Sequence, residues 1–379
     1  EIASCLVGSE MCIRDSYIGE LIMIKPKKLQ KGDKIAIVSL SSGIMGEDFC
    51  RHELEIALNR LRGYDLMPVV MPNALKGFEY LKNHPEKRAD DLKLAFSDKD
   101  IKAVICSIGG VDTYKLTPYL MNDKEFIENV RKHPKIFTGF SDTTINHLMF
   151  HKIGMSTFYG PNILCDLAEL DNDMLPYTKE YFELFFNCSG SFEIKSSDTV
   201  YYDRKSYGKE EIGKPRKSTK ENFGYEILNG SGVVTGQLLG GCIESIYEAY
   251  NSCRYADEFD VLNKYDILPN VEDWRGKIMF LETSEVKSSP KMLKTMLDFF
   301  MNKGIFNQIN GLIVGKPFDE IYYDEYKVVY KEVFKGTNVP VMYNLNFGHC
   351  QPRCILPYGI TAELNVDYRT LTILENTFN

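Results

Sequence analysis

The chain has 379 residues, of which 44% are hydrophobic and 26% charged, with a formal net charge of -8. That length allows two domains with cores of their own, and the composition is that of a globular protein. The acidic balance leaves the chain as a whole without a nucleic-acid footprint, and no apolar run is long enough to span a bilayer.

Ten cysteines are scattered along the chain. The closest pair, Cys350 and Cys354, is separated by Gln-Pro-Arg, which is not a metal knuckle. The pattern reads as reduced thiols in a cytoplasmic protein. Residues 1–22 show no periodicity and lack the apolar centre of a signal peptide. They resemble translated adapter or vector sequence, so the fold is read from Met23 onward.

Residues 34–40 form a short apolar run, which predicts a buried parallel strand. Residues 49–62 have helical spacing, residues 66–71 read as a strand, and residues 88–96 as a helix. A further buried strand, residues 103–108, ends in Gly109-Gly110. The apolar run from Lys135 then stops in a tight turn, Gly139-Phe140-Ser141-Asp142, and a helical pattern follows at once. Alternating strands and helices predict a parallel sheet covered on both faces, with ligands bound beyond the carboxyl ends of its strands.

Ser141 has two readings. It is the cap of the following helix, or it sits on a nucleophile elbow beside that helix's N–H groups. Gly109-Gly110 is either a plain turn or a place where backbone N–H groups approach a developing oxyanion. Val111-Asp112-Thr113 breaks the spacing of a dinucleotide fingerprint. His147 and His151 are four apart on the predicted helix, a spacing that can hold zinc. Leu148 stands where the glutamate of that motif would be, so both are read as ordinary helix-face residues.

Residues 187–232 are polar, charged and rich in tyrosine, and read as a linker or lid. Tyr202 and Tyr207 either stack on a flat ligand or are solvated loop residues. Residues 232–239 alternate as a strand and are followed by Gly240-Gly241. Residues 243–250 are helical. Residues 277–282 form a strand that ends in the carboxylate of Glu282. Pro290–Asn302 is helical, residues 309–314 and 339–343 read as strands, and Asn346-Phe347-Gly348-His349 follows. Residues 359–365 and 370–375 close the chain as strands. The expected organisation is a leader (1–22), an N-terminal α/β domain (23–186), the linker or lid (187–232) and a β-rich C-terminal domain (233–379).

Ser141, Glu282 and His349 each fall at the end of a strand-like run. A serine hydroxyl needs a histidine to take its proton and a carboxylate to hold that imidazole. The order Ser, Glu, His also occurs in α/β-hydrolases, but Thr143 stands where G-x-S-x-G requires its last glycine.

The ordered set Gly109-Gly110, Gly139-Phe140-Ser141-Asp142, Gly236-Gln237-Leu238-Leu239-Gly240-Gly241, Phe280-Leu281-Glu282 and Phe347-Gly348-His349 resembles the LD-carboxypeptidase family of serine peptidases. The likeness runs from about Lys31 to the C-terminus. It implies an N-terminal parallel-sheet α/β domain, a β-rich α/β C-terminal domain and a site at their interface. By the same likeness Ser141 is the nucleophile, His349 the base and Glu282 the residue that orients it. Backbone N–H groups of Gly110 and Asp142 would form the oxyanion hole, and no metal or organic cofactor is implied.

Two branches of the family compete. Muropeptide-cleaving enzymes often carry an arginine before the paired glycines, where this chain has Ile108. The microcin-immunity branch resembles this chain in its Ile-Gly-Gly start and its long aromatic, charged insertion. There an insertion tryptophan is associated with stacking on a nucleobase; here the segment offers Tyr202 and Tyr207, and the lone Trp274 lies elsewhere. Cys242 also replaces an asparagine frequent in the family.

The expected activity is hydrolysis of an amide bond in a peptidyl- or aminoacyl-nucleotide. The alternatives are release of terminal D-alanine from murein tetrapeptides, and a binding protein that uses the cleft without chemistry. The expected substrate contacts are Gly109, Tyr202 and Tyr207. The expected partner is a small molecule rather than a nucleic-acid polymer or a membrane, and the resemblance implies a homodimer.

Overall fold

A computed structural model of the protein describes residues 23–379; the expected leader lies outside the described residues. The first half alternates β1 (Lys34–Val38), β2 (Met67–Val70), β3 (Ile101–Cys106), β4 (Ile136–Gly139) and β5 (Phe158–Tyr159) with helices. These strands pair in parallel in the order β5-β4-β3-β1-β2. β4 and the last four residues of β1 are fully buried, as strands covered by helices on both faces must be.

The insertion is more structured than a linker. It contains β6 (Phe192–Ile194), β7 (Thr199–Tyr201), β8 (Ser218–Lys220) and β9 (Glu226–Asn229). The second half adds β10 (Val233–Cys242), β11 (Ile278–Glu282), β12 (Gly311–Gly315), β13 (Val341–Leu345), β14 (Leu356–Pro357), β15 (Thr361–Asn365) and β16 (Thr370–Ile373). Its eight-stranded sheet runs β6-β16-β15-β10-β11-β12-β13-β9, so β6 and β9 of the insertion close both edges. Strands β10 to β13 are parallel, and β15 and β16 are antiparallel.

The two halves share backbone. β14 pairs antiparallel with β5 and becomes the edge of the first sheet. A proline is tolerated there because an edge strand need not donate every N–H. Trp274 is fully buried in the second half.

The sequence reading ends the strand before Gly240-Gly241, whereas β10 continues through both glycines. The reason is close strand approach rather than a turn. A Cβ on Gly240 would lie 1.8 Å from the Phe280 carbonyl oxygen of β11. Among the described residues no helix is long and apolar enough to cross a membrane.

Candidate active site

β4, β11 and β13 deliver their carboxyl ends to one place. Ser141 lies just beyond β4 with φ of +66°. A serine held there costs about 1–3 kcal/mol of backbone strain, which persists only where its surroundings fix it. Three bonds do so. The Ser141 N–H donates to Tyr159 Oη at 3.1 Å, Thr144 Oγ1 donates to the Ser141 carbonyl at 2.7 Å, and the Thr143 N–H donates to the Phe140 carbonyl at 3.3 Å.

The strand behind the turn is pinned by His147. Its Nε2 bonds the Gly139 carbonyl at 2.9 Å and its Nδ1 bonds Thr157 Oγ1 at 2.8 Å. A carbonyl only accepts, so Nε2 carries the hydrogen and Nδ1 accepts from the threonine hydroxyl. Burial pushes the His147 pKa down to about 3, which keeps the ring neutral. With both nitrogens engaged, His147 is a core histidine and leaves no lone pair for a metal.

Gly109 and Gly110 pack against the same turn. A Cβ on Gly109 would sit 2.7 Å from Ser141 Cβ and 3.4 Å from the Asp142 nitrogen. At Gly110, with φ of +154°, it would sit 2.3 Å from Ser41 Oγ. Ser41 Oγ donates to Asp142 Oδ2 at 2.6 Å and accepts from the Val111 N–H at 2.9 Å. Asp142 Oδ2 also accepts from the Thr113 N–H at 2.9 Å. Its buried side chain therefore ties the glycine loop to the Ser141 turn, while burial raises its pKa.

Glu282 is the last residue of β11 and is buried. Its Oε2 accepts from His349 Nδ1 at 2.8 Å and from the His349 N–H at 3.2 Å. Its Oε1 accepts from Tyr159 Oη at 2.5 Å. Tyr159 thus bridges the Ser141 backbone to the carboxylate that holds His349. Sequence reasoning missed it; the signal was an aromatic pair ahead of Gly160-Pro161, in a strand only two residues long. Two glycines make room for Glu282. A Cβ on Gly348 would meet Glu282 Cγ at 2.2 Å, and one on Gly315 would meet Glu282 Cβ at 2.7 Å.

The expected contact from Ser141 Oγ to His349 is absent among the described residues. His349 Nε2 is paired instead with Glu285 Oε2 at 2.9 Å. The physical reason is that a carboxylate is a better acceptor for an imidazolium N–H than a hydroxyl is. Burial alone would depress the His349 pKa, but the two glutamates outweigh it and raise it to about 10. The bond to His349 in turn holds the Glu285 carboxyl down to about 2. Glu285 has no counterpart in the sequence reading, because a loop carboxylate three residues past a strand looks like any surface acid.

Ser141, His349, Glu285, Gly109, Gly110 and Tyr207 line one cavity of about 300 Å³. The Tyr207 ring is held over the Arg216 guanidinium, 5.8 Å from its centre, and its hydroxyl donates to Asp203. Its carbonyl bonds His52 Nε2 at 2.8 Å, fastening the insertion to the first domain. Arg216 and Arg204 both pair with the buried Glu169. Tyr202 is elsewhere: its hydroxyl donates to Glu320 Oε2 at 2.7 Å, and it is not among the cavity-lining residues. Arg353 lies 4.1 Å from the centre of the Phe140 ring and pairs with Asp166 at 2.7 Å. Phe140 in turn meets His349 edge-on.

Cys242, Glu282 and His349 are close enough to share an ion. However, both Glu282 oxygens and both His349 nitrogens are already engaged, and Cys242 Sγ donates to Glu244 at 3.4 Å. Position 242 instead serves the turn, since its N–H donates to Thr144 Oγ1 at 3.1 Å.

The sequence profile of the LD-carboxypeptidase N-terminal domain matches residues 35–160, and that of the C-terminal domain matches residues 235–364. An MccF-like protein from Streptococcus pneumoniae, solved in complex with AMP, superposes with a TM-score of 0.85 at 44% identity, covering 90% of this chain and 98% of that one. The Probable murein peptide carboxypeptidase of Bacillus subtilis is 26% identical over 356 residues, covering 92% of this chain and 94% of that protein. The microcin C7 self-immunity protein MccF of Escherichia coli is 24% identical over 299 residues, covering 76% of this chain and 78% of that protein. The two profiles span well over half of the chain, which therefore belongs to the LD-carboxypeptidase family of serine peptidases.

Proposed function

We propose that Ser141, His349 and Glu282 form a triad that hydrolyses an amide bond of an aminoacyl- or peptidyl-nucleotide. The observation that carries this reading is the buried His349–Glu282 bond of 2.8 Å facing the strained Ser141 turn across one cavity. Ser141 Oγ attacks the acyl carbon as its proton passes to His349 Nε2. The C–N bond breaks as that proton moves to the leaving nitrogen. Water then releases the acyl group from Ser141, with His349 again taking the proton. Glu282 fixes the ring through Nδ1 throughout. The Asp142 N–H, which lies outside the bonds that close the turn, and the Gly110 N–H receive the oxyanion.

The nucleotide reading draws on two features. The Streptococcus pneumoniae structure at 44% identity was solved with AMP, and the aromatic residue Tyr207 is among those that line the cavity. The murein reading draws on the family and on the Bacillus relative. A paired hydrolysis assay separates them. One substrate is an aminoacyl sulfamoyl adenosine, the other a murein tetrapeptide ending in D-alanine, each run with Ser141→Ala as control. Cleavage of the adenosine compound by wild type alone supports the nucleotide reading. Cleavage of the tetrapeptide alone replaces it with the murein reading, and undiminished cleavage by the Ser141→Ala protein removes the triad.

A further inference from the structure

His349 is gripped on both sides. Glu282 holds Nδ1 at 2.8 Å and Glu285 holds Nε2 at 2.9 Å. The two carboxylates differ in kind. Glu282 is buried at the end of a strand and fixed by Tyr159. Glu285 sits in the loop after that strand, and its side chain stays 60% exposed while lining the cavity. Such a side chain swings away at little cost in packing.

An imidazole bonded to two carboxylates is held as imidazolium and has no lone pair for Ser141. Turnover therefore requires Glu285 to release Nε2. Once released, Glu285 faces the cavity as a carboxylate without its partner. Of the nearby cations, the Arg254 guanidinium pairs with Glu248 and Arg353 pairs with Asp166, while the exposed Lys287 stands over the ring of Phe318 at the cavity. Asp203, the other cavity acid, is occupied by Arg216. A positive group brought in by the substrate gives Glu285 a new partner inside the cavity.

We propose that Glu285 is a specificity-determining residue that occupies Nε2 of His349 until an ammonium group next to the scissile carbonyl takes over as its partner. The inference rests on the triad reading above and adds the substrate class: acyl groups that carry a free amine near the bond to be cut. The ammonium draws Glu285 off the ring, the imidazolium releases its Nε2 proton to solvent water, and the base is ready only when that substrate is seated. Neutral or acidic acyl groups leave the brake in place.

The groups that face His349 are Glu282, Glu285 and the buried Cys242 thiol. Glu285 itself is faced by His349 and, further off, by Arg254. Removing the Glu285 charge takes one of the two carboxylates from the ring, so the free-enzyme pKa of His349 falls.

The test compares alanyl sulfamoyl adenosine with its N-acetyl form. Wild type should favour the free amine by about 100-fold or more in kcat/KM, the scale of withholding a general base. In Glu285→Gln and Glu285→Ala that preference should collapse to within about threefold, and the acid limb of kcat/KM should move down by about one pH unit or more. A merely structural role would lower both substrates alike and leave the limb in place; that result, or an unchanged preference, overturns the proposal. Hydrolysis that survives in Ser141→Ala fails the triad reading itself, a different outcome. Should turnover be too slow to follow, the His349 ring protons in the Ser141→Ala protein give a second readout by NMR. Adding the free-amine compound should lower the His349 pKa and adding the acetylated one should not; equal responses overturn the proposal.

Discussion

Replacing Tyr159 by phenylalanine removes one oxygen and little else. The side chain is fully buried and its ring packs near Phe280 and Tyr358, contacts that Phe keeps. Two hydrogen bonds vanish. The bond from Oη to the Glu282 carboxylate is worth about 1.5–3 kcal/mol and the bond from the Ser141 N–H about 0.5–1.5 kcal/mol. The Glu282 carboxylate is left buried, so its loss is not made good by water, whereas Ser141 is half-buried at the cavity and its N–H recovers part of its bond. The expected destabilisation is about 2–4 kcal/mol, read by urea unfolding. The chain contains one tryptophan, the buried Trp274, whose fluorescence reports the transition. The Ser141 turn loses one of its fixings and Glu282 one of its two anchors, so both can drift from the cavity. A misplacement near 1 Å costs roughly 10²-fold in rate. A Tyr159→Phe protein with stability within about 0.5 kcal/mol of wild type and an unchanged kcat would refute the bridging role.

The clash at Gly348 makes a second case: Gly348→Ala drives a methyl into Glu282 at a φ of +78°, and should cut kcat by roughly 10²-fold while lowering stability by about 2 kcal/mol or more. Ser141→Gly relieves the left-handed serine and should raise stability by about 0.5–1 kcal/mol, whereas Ser141→Ala should not; equal melting behaviour of the two would mean the turn is unstrained. The raised His349 pKa contributes stability that is complete below its unfolded value of 6.5 and is lost as the pH climbs toward about 10; in His349→Ala the decline above pH 7 should flatten. His147 acts in the opposite direction. Its folded pKa is depressed to about 3 from 6.5, so the unfolded chain binds the proton more readily and stability should fall as pH drops below 6.5, an effect absent in His147→Asn.

The first sheet was legible because its strands are continuous apolar runs separated by helical spacing, a pattern that burial on both faces imposes. Ser141, Glu282 and His349 were legible because each ends such a run. What was hidden depends on distant partners. Gly240-Gly241 fell after the predicted strand, yet the glycines lie inside β10, where the β11 backbone comes too close to Gly240 for a Cβ. β5 and β14 are two residues each, too short for periodicity to mark, so the strand that joins the halves and the tyrosine on it went unseen. The insertion strands are short and take their form from partners that local sequence does not reveal: β6 pairs with β16, β9 with β13, and β7 with β8. Tyr202 and Tyr207 are indistinguishable by local sequence; only the ion pairs of Asp203, Glu320 and Arg216 send one to the cavity and the other away. Glu285 owes its significance to a histidine 64 residues later in the chain, which no local pattern reveals.

The most direct measurement on the central claim is covalent labelling of the Glu285→Gln protein, whose His349 Nε2 is free of its second carboxylate, with a fluorophosphonate at pH 9, followed by intact mass and peptide mapping. A single adduct on Ser141, absent in His349→Ala and in Ser141→Ala, is the result the triad predicts. Labelling of another residue, or an unlabelled Ser141 in a protein that still hydrolyses its substrate, would contradict it.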